Sequence, residues 1–297
     1  MHVGKNWFDE DTFQHSPKRI ENLFGCEFSY YEGSTPWPHP PPPGTPAEFA
    51  CSLDQNLSRR PTWRRGAFPP GSFLEEWEER RGAAKRCPSW ARAAAWPGHH
   101  HDIGARRDVF YWMYDHPDLM ARFRDILAAK MVESESAFCA LSGKHCTPGW
   151  WITDDNSALF NRAFYREYCF PVLDRVLDAL APGDAPRYQH SDSSMGHLLD
   201  MQYELGIRRV NYGPEVDAGR IRAEMPDALI EGQMPPFLLR NGSPAAIEQR
   251  VIDDFGKAGA GGGLQVATAG SLAAGTGVGR MRWFMQLVQT HCRYDCD

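Results

Sequence analysis

From about residue 149 to residue 291 one unit recurs: a short apolar or aromatic run, a polar loop, then a stretch with apolar residues at helical spacing. Short runs closed off by turn residues read as strands, and apolar positions three and four apart read as one face of a helix. The runs predict strands over Gly149–Thr153, Pro186–Ser191, Arg208–Tyr212, Ala228–Gly232 and Gly263–Thr268. Between and after them the spacing predicts helices over Arg162–Leu180, Met195–Leu205, Ala218–Met225, Pro244–Ala258 and Val278–His291. Strands separated by helices return in the same direction, so the sheet is parallel and the class is α/β. That leaves a (β/α)8 TIM barrel or a doubly wound sheet. No glycine-rich GxGxxG turn follows any of these strands, and a dinucleotide fold loses ground. Gly259–Gly263 precedes a strand and reads as a connector.

Barrel enzymes build their sites from the loops after each strand. Those loops carry Asp154, Asp155 and Asn156, then His190 and Asp192, then Asn211, Tyr212 and Glu215, then Gln233, then Thr268 and Ser271. Residues two apart in an extended segment point the same way, so His190 and Asp192 project together. An imidazole beside a carboxylate can hold a tautomer, move a proton or share a metal. The adjacent Asp154 and Asp155 can raise one another's proton affinity and supply an acid near neutral pH. Asp154, Asp155, His190 and Asp192 are therefore the candidate catalytic residues, and Asn211, Tyr212, Glu215, Gln233 and Ser271 the candidate substrate contacts. His190 and Asp192 are also the candidate metal ligands. Helix capping explains Asp192 or Ser193, and equally Asp154-Asp155-Asn156, without any chemistry.

The first third has a different character. Residues 1–32 predict a capped helix over Ser16–Phe24 and a strand over Cys26–Tyr31. Residues 33–105 combine the proline run from Pro36 to Pro46 with Arg, Trp, Gly and Ala, and show no sustained period. Such a stretch is an insertion or lid, a disordered segment, or coding sequence read out of frame. His99–Asp102 resembles a metal clip, but neighbouring residues converge on one ion poorly. Residues 106–297 form the orderly region, opening with helices over Val109–Tyr114 and Pro117–Leu141. A net charge of −6 without a basic, aromatic-studded run argues against nucleic acid. No apolar run of membrane-spanning length and no leader pattern occurs, so a cytoplasmic, membrane-free protein is expected. The eight cysteines are scattered without a CxxC pair and read as free thiols. Trp150-Trp151 and the apolar positions of the last helix read as core, and Arg208-Arg209 as a surface pair.

Taken together, several strings resemble the uroporphyrinogen decarboxylase superfamily. They are Asp154–Phe160, Phe164–Leu173, His190-Ser-Asp192 with the following Gly-His-Leu-Leu, Glu204–Ile207, Asn211–Glu215, Glu231-Gly-Gln233 and Ala267–Ser271. The likeness runs in order from about Arg107 to Tyr294. It implies a (β/α)8 barrel with an N-terminal part that is irregular or incomplete here, and a deep cleft at the strands' C-terminal face. It also implies one of two chemistries: decarboxylation of the acetate arms of uroporphyrinogen, without a cofactor, or methyl transfer involving a corrinoid and a zinc-bound thiol.

Departures from the family pattern weigh on that choice. The arginine-rich motif by which the decarboxylases hold substrate carboxylates is missing; Arg64-Arg-Gly66 is the nearest string. The methyltransferase branch uses His-x-Cys and a later Cys as zinc ligands. Here His190 is kept, Asp192 replaces the first Cys and Ser271 the second. A His with carboxylates suits zinc, manganese or iron, and suits thiol activation less well. The first expectation is methyl transfer at a metal-assisted site, with a corrinoid protein as partner and a small molecule as substrate. The alternatives are a porphyrinogen decarboxylase with a tetrapyrrole substrate, and a non-catalytic binding barrel.

Overall fold

The computed structural model describes residues 27–29, 37–39, 44–58, 107–141 and 149–294. The predicted helix over Ser16–Phe24 and the histidine run at 99–101 lie outside them. Two short strands, β1 (Glu27–Ser29) and β2 (Trp37–His39), pair antiparallel, so the start of the proline run is a strand. Within the stretch read as irregular lies a helix, α1 (Pro46–Ser58). Its first turn closes as a capping box: the Glu48 amide donates to Thr45 Oγ1 at 3.2 Å, and the Thr45 amide donates to Glu48 Oε2 at 2.6 Å.

The chain divides into two compact units. The first gathers α1 with α2 (Arg107–Asp115), α3 (Pro117–Leu141) and residues 171–180. Phe49 of α1 meets Trp112 of α2 and Phe123 of α3, with ring centroids 5.4 and 5.3 Å apart. Met120, Phe123, Leu127 and Met131 recur at three- and four-residue spacing on the buried side of α3.

The second unit holds five strands: β3 (Trp150–Thr153), β4 (Arg187–His190), β5 (Arg209–Asn211), β6 (Leu229–Met234) and β7 (Leu264–Thr268). All pair in parallel, and their spatial order is their chain order. A doubly wound sheet reverses its strand order at a switch point. This sheet never does, and the progression is that of a β/α barrel. Ile152, Val210 and Ile230 are fully buried on one face of the sheet. The opposite face carries Trp151, Tyr188, His190, Arg209, Asn211 and Glu231, by the strict alternation of strand side chains.

Several predicted helices change form. Arg162–Leu180 is α4 (Arg162–Phe164), a π-turn over Tyr165–Cys169, then α5 (Phe170–Leu180). Pro171 has no amide proton for the carbonyl four residues back, so the turn before it opens. Met195–Leu205 is a 3-10 turn over Met195–Leu198 followed by α6 (Leu199–Glu204). There Gly196 lets Arg220 approach: a Cβ would stand 2.9 Å from its Nη1. α7 (Ala218–Glu224), α9 (Pro244–Ala258) and α10 (Val278–His291) stand as predicted to within a residue. One short helix, α8 (Pro236–Asn241), was not predicted. Met234, Leu239, Ile247, Val251, Phe284 and Leu287 form the core that binds β6 to α8, α9 and α10.

Candidate functional site

His190 ends β4, and its ring lies on the sheet face shared with Trp151 and Tyr188. Its Nε2 stands 3.4 Å from Asp192 Oδ1. The Asn211 side chain also hydrogen-bonds the ring. The hydrogen bond to Asp192 raises the imidazole's proton affinity above the ordinary value, burial opposes it, and the charges of Asp192 and Asp155 add to the rise. Asp192 is correspondingly held below the usual carboxylate range by the His190 hydrogen bond, and the Ser271 amide donates to it as well. The pair is a histidine–carboxylate dyad, partly open to solvent.

Two side chains hold the dyad in place. Asp155 Oδ1 accepts from the Asp192 amide at 2.6 Å and from Ser191 Oγ at 3.2 Å, tying the loop after β3 to the loop after β4. Asn211 ties three strand ends: Nδ2 donates to the carbonyls of Glu231 and, at 3.0 Å, Thr268, and Oδ1 accepts from the Gly270 amide at 3.0 Å. Two glycines then make room. Gly270, at φ +83°, would place a Cβ 2.0 Å from Asp192 Oδ1, and Gly213 would place one 2.4 Å from the Asp192 carbonyl.

The structure thus brings together Asp155, His190, Asp192, Asn211 and the backbone of Ser271. It does not bring in Asp154. Adjacent strand residues point to opposite faces, and Asp154 shares the face of Ile152. Its carboxylate accepts from the Ser157 hydroxyl, the Ser157 amide at 2.9 Å and the Asn156 amide at 3.1 Å. It closes the turn over Asn156–Leu159, whereas the helix starting at Arg162 is capped by Asn161. Its proton affinity rises to about 6, chiefly through burial, with Asp155 the smallest contributor. Mutual repulsion of the two acids is therefore not the cause. Tyr212 follows Val210 onto the buried face, with its hydroxyl unpartnered. Gln233 donates to the carbonyls of Gly213 and Val216 and is fully buried, so it shapes a loop rather than meeting substrate. Glu215 is exposed.

Below the dyad lies a group the sequence reading passed over. Arg209 pairs with Glu231, its Nε and Nη2 both on Oε1, and Tyr188 donates to Glu231 Oε2 at 3.3 Å. The Trp151 ring meets Tyr188 edge-on at 4.9 Å, and the Arg209 guanidinium lies 5.3 Å from the Tyr188 centroid. Arg208 and Arg209 are not a matched surface pair. Arg208 turns to Asp227 and stacks on Tyr203, while Arg209 joins the His190 face. Period-two counting back from His190 and Asn211 was the signal that would have found it.

The donor set fits a resident zinc poorly. Such an ion needs three or four protein donors. His190 and Asp192 supply two groups that already bond each other, and Asp155 Oδ1 is taken up by Asp192 and Ser191. Among the described residues no three His, Cys, Asp or Glu side chains gather to hold a metal.

Residues 105–291 match the family model for uroporphyrinogen decarboxylase (URO-D). Among solved structures, the chain is similar to a methyltransferase from Methanosarcina mazei, with a TM-score of 0.60 and 14% identity, over 91% of this chain and 77% of that one. At that identity the likeness is one of fold. No curated protein matches the chain.

Proposed function

The chain belongs to the uroporphyrinogen decarboxylase family, and from that premise we propose that it is a methyl-transfer enzyme driven by the His190–Asp192 dyad. The single observation that carries the reading is the His190 ring held 3.4 Å from the Asp192 carboxylate at the strands' C-terminal ends. Moving a methyl group off oxygen or nitrogen leaves the electron pair of the broken bond on that heteroatom. The His190 proton would go to that heteroatom as the bond breaks, and the neutral ring would recover a proton from solvent. Asp192 holds the ring protonated beforehand, and Asn211 and Asp155 fix where the proton points. A corrinoid on a partner protein would supply the methyl acceptor; no residue of this chain is assigned to it. No step is routed through a metal, because the donor set does not suit one.

The same wall speaks against decarboxylation of a substrate with many carboxylates. Arg209 is the guanidinium on the His190 face among the described sheet residues, and it is already paired with Glu231. Among the described residues of that face, a polyanion would find no cluster of cations.

The test is direct. Purified protein is incubated with cob(I)alamin and a panel of O- and N-methyl compounds, and the cob(I)alamin absorbance is followed. Consumption is expected with the wild type, slowed roughly 10²- to 10⁴-fold in His190→Gln. Equal rates in the two proteins would sink the reading, as would loss of carboxylates from uroporphyrinogen under the same conditions.

A further inference from the structure

We infer that Arg209 is the anchor for a single carboxylate on the substrate, one layer of the sheet below the dyad. The inference rests on the reading of His190 as the reacting end. Arg209 stands in register with Tyr188, and Asn211 with His190, so the guanidinium and the imidazole share a face, two residues apart. Its Nε and one Nη2 proton are spent on Glu231, and Nη1 has no partner among the described residues. The side chain is nonetheless 48% exposed while Glu231 is 14% exposed.

A guanidinium offers five N–H groups in a plane, and its free edge matches the two oxygens of a carboxylate. Glu231 from behind and the Tyr188 ring hold that plane in one orientation, which lowers the entropy lost on binding. One guanidinium edge serves one carboxylate, and Glu231 penalises a second. Two residues of strand rise and one strand spacing set roughly 8 Å between the positions of Arg209 and His190. Tyr188 lines the floor beside both, with Trp151 edge-on beyond it, and these rings favour an aromatic or otherwise flat body. The substrate class is thus a small, flat monocarboxylate bearing its methyl group at the far end.

The binding test needs no turnover. Calorimetric affinities of 4-methoxybenzoate and 4-methoxybenzamide are compared, since the two differ in charge and hardly in shape. The wild type should bind the acid at least about tenfold more tightly than the amide. Arg209→Gln should remove that preference, and Glu231→Gln should enlarge it by relieving the opposing charge. His190→Gln should leave it in place, so a failure of the methyl-transfer proposal does not disturb this result. Equal affinity for acid and amide, absence of binding by either, or a preference that Glu231→Gln diminishes would overturn the assignment.

Discussion

At His190 and Asp192 the two proton affinities move apart, and each movement has its own pH window. The imidazole's is raised, so its contribution to folding is complete below the ordinary value of 6.5 and is lost as pH rises through the folded-state value. The carboxyl's is lowered, so its contribution is present above the ordinary 3.8 and is lost as pH falls through the depressed value. Between those limits the dyad is intact. If the protonated ring is the reactive form, activity falls on the alkaline side. Asp192→Asn should shift that limb to lower pH, which a pH–rate profile or an NMR titration of the ring would register. Asp154 behaves oppositely. Its affinity is raised from 3.8 to about 6 by burial, so ionising it costs the fold on the order of 3 kcal/mol above pH 6, and nothing below pH 4. Asp154→Asn keeps an acceptor for the two amides. Relative to the wild type it should gain stability between pH 4 and pH 8, measured by urea unfolding at both.

Strand alternation decided which site residues were legible and which were not. His190 and Asp192 were paired correctly because they stand two apart. Asp154 was assigned to the site by adjacency to Asp155, and adjacency across a strand means opposite faces. Arg209 was missed for the same reason in reverse. The strands were legible because short apolar runs between polar loops have few other readings. The breaks at Phe164 and Leu198 were not, since an apolar pattern reports which side is buried and not whether the turn is α, π or 3-10. Helix α8 escaped because six residues behind two prolines show too little period. The element-level consequence lies in the glycines. Gly270→Ala would put a methyl group into the Asp192 carboxylate at a left-handed φ, and should cost roughly 1–3 kcal/mol while pushing Asp192 off the ring. The loss of the Asp192-dependent shift in the His190 titration would show it; an unchanged titration would mean that the loop yields elsewhere.

In the five-stranded sheet, strand order equals chain order; the alternation of strand and helix left a doubly wound sheet open, and it was the family resemblance that implied the barrel. The division into units was not legible, since residues 171–180 group with helices more than 30 residues earlier in the chain. No helix among the described residues is long and apolar enough to cross a membrane. The core where β6 meets α8, α9 and α10 carries the end of the strand progression. Phe284→Ala there should cost about 3–5 kcal/mol, a large share of the 5–15 kcal/mol typical of a domain. A drop in the urea midpoint with an unchanged slope would confirm a loss of packing alone.

The Asn211 amide joins its own strand to β6 and to the end of β7 while touching the ring on β4. A shift in any one of them tugs on the same small group. One side chain thus couples the position of the proton to the spacing of its neighbouring strands.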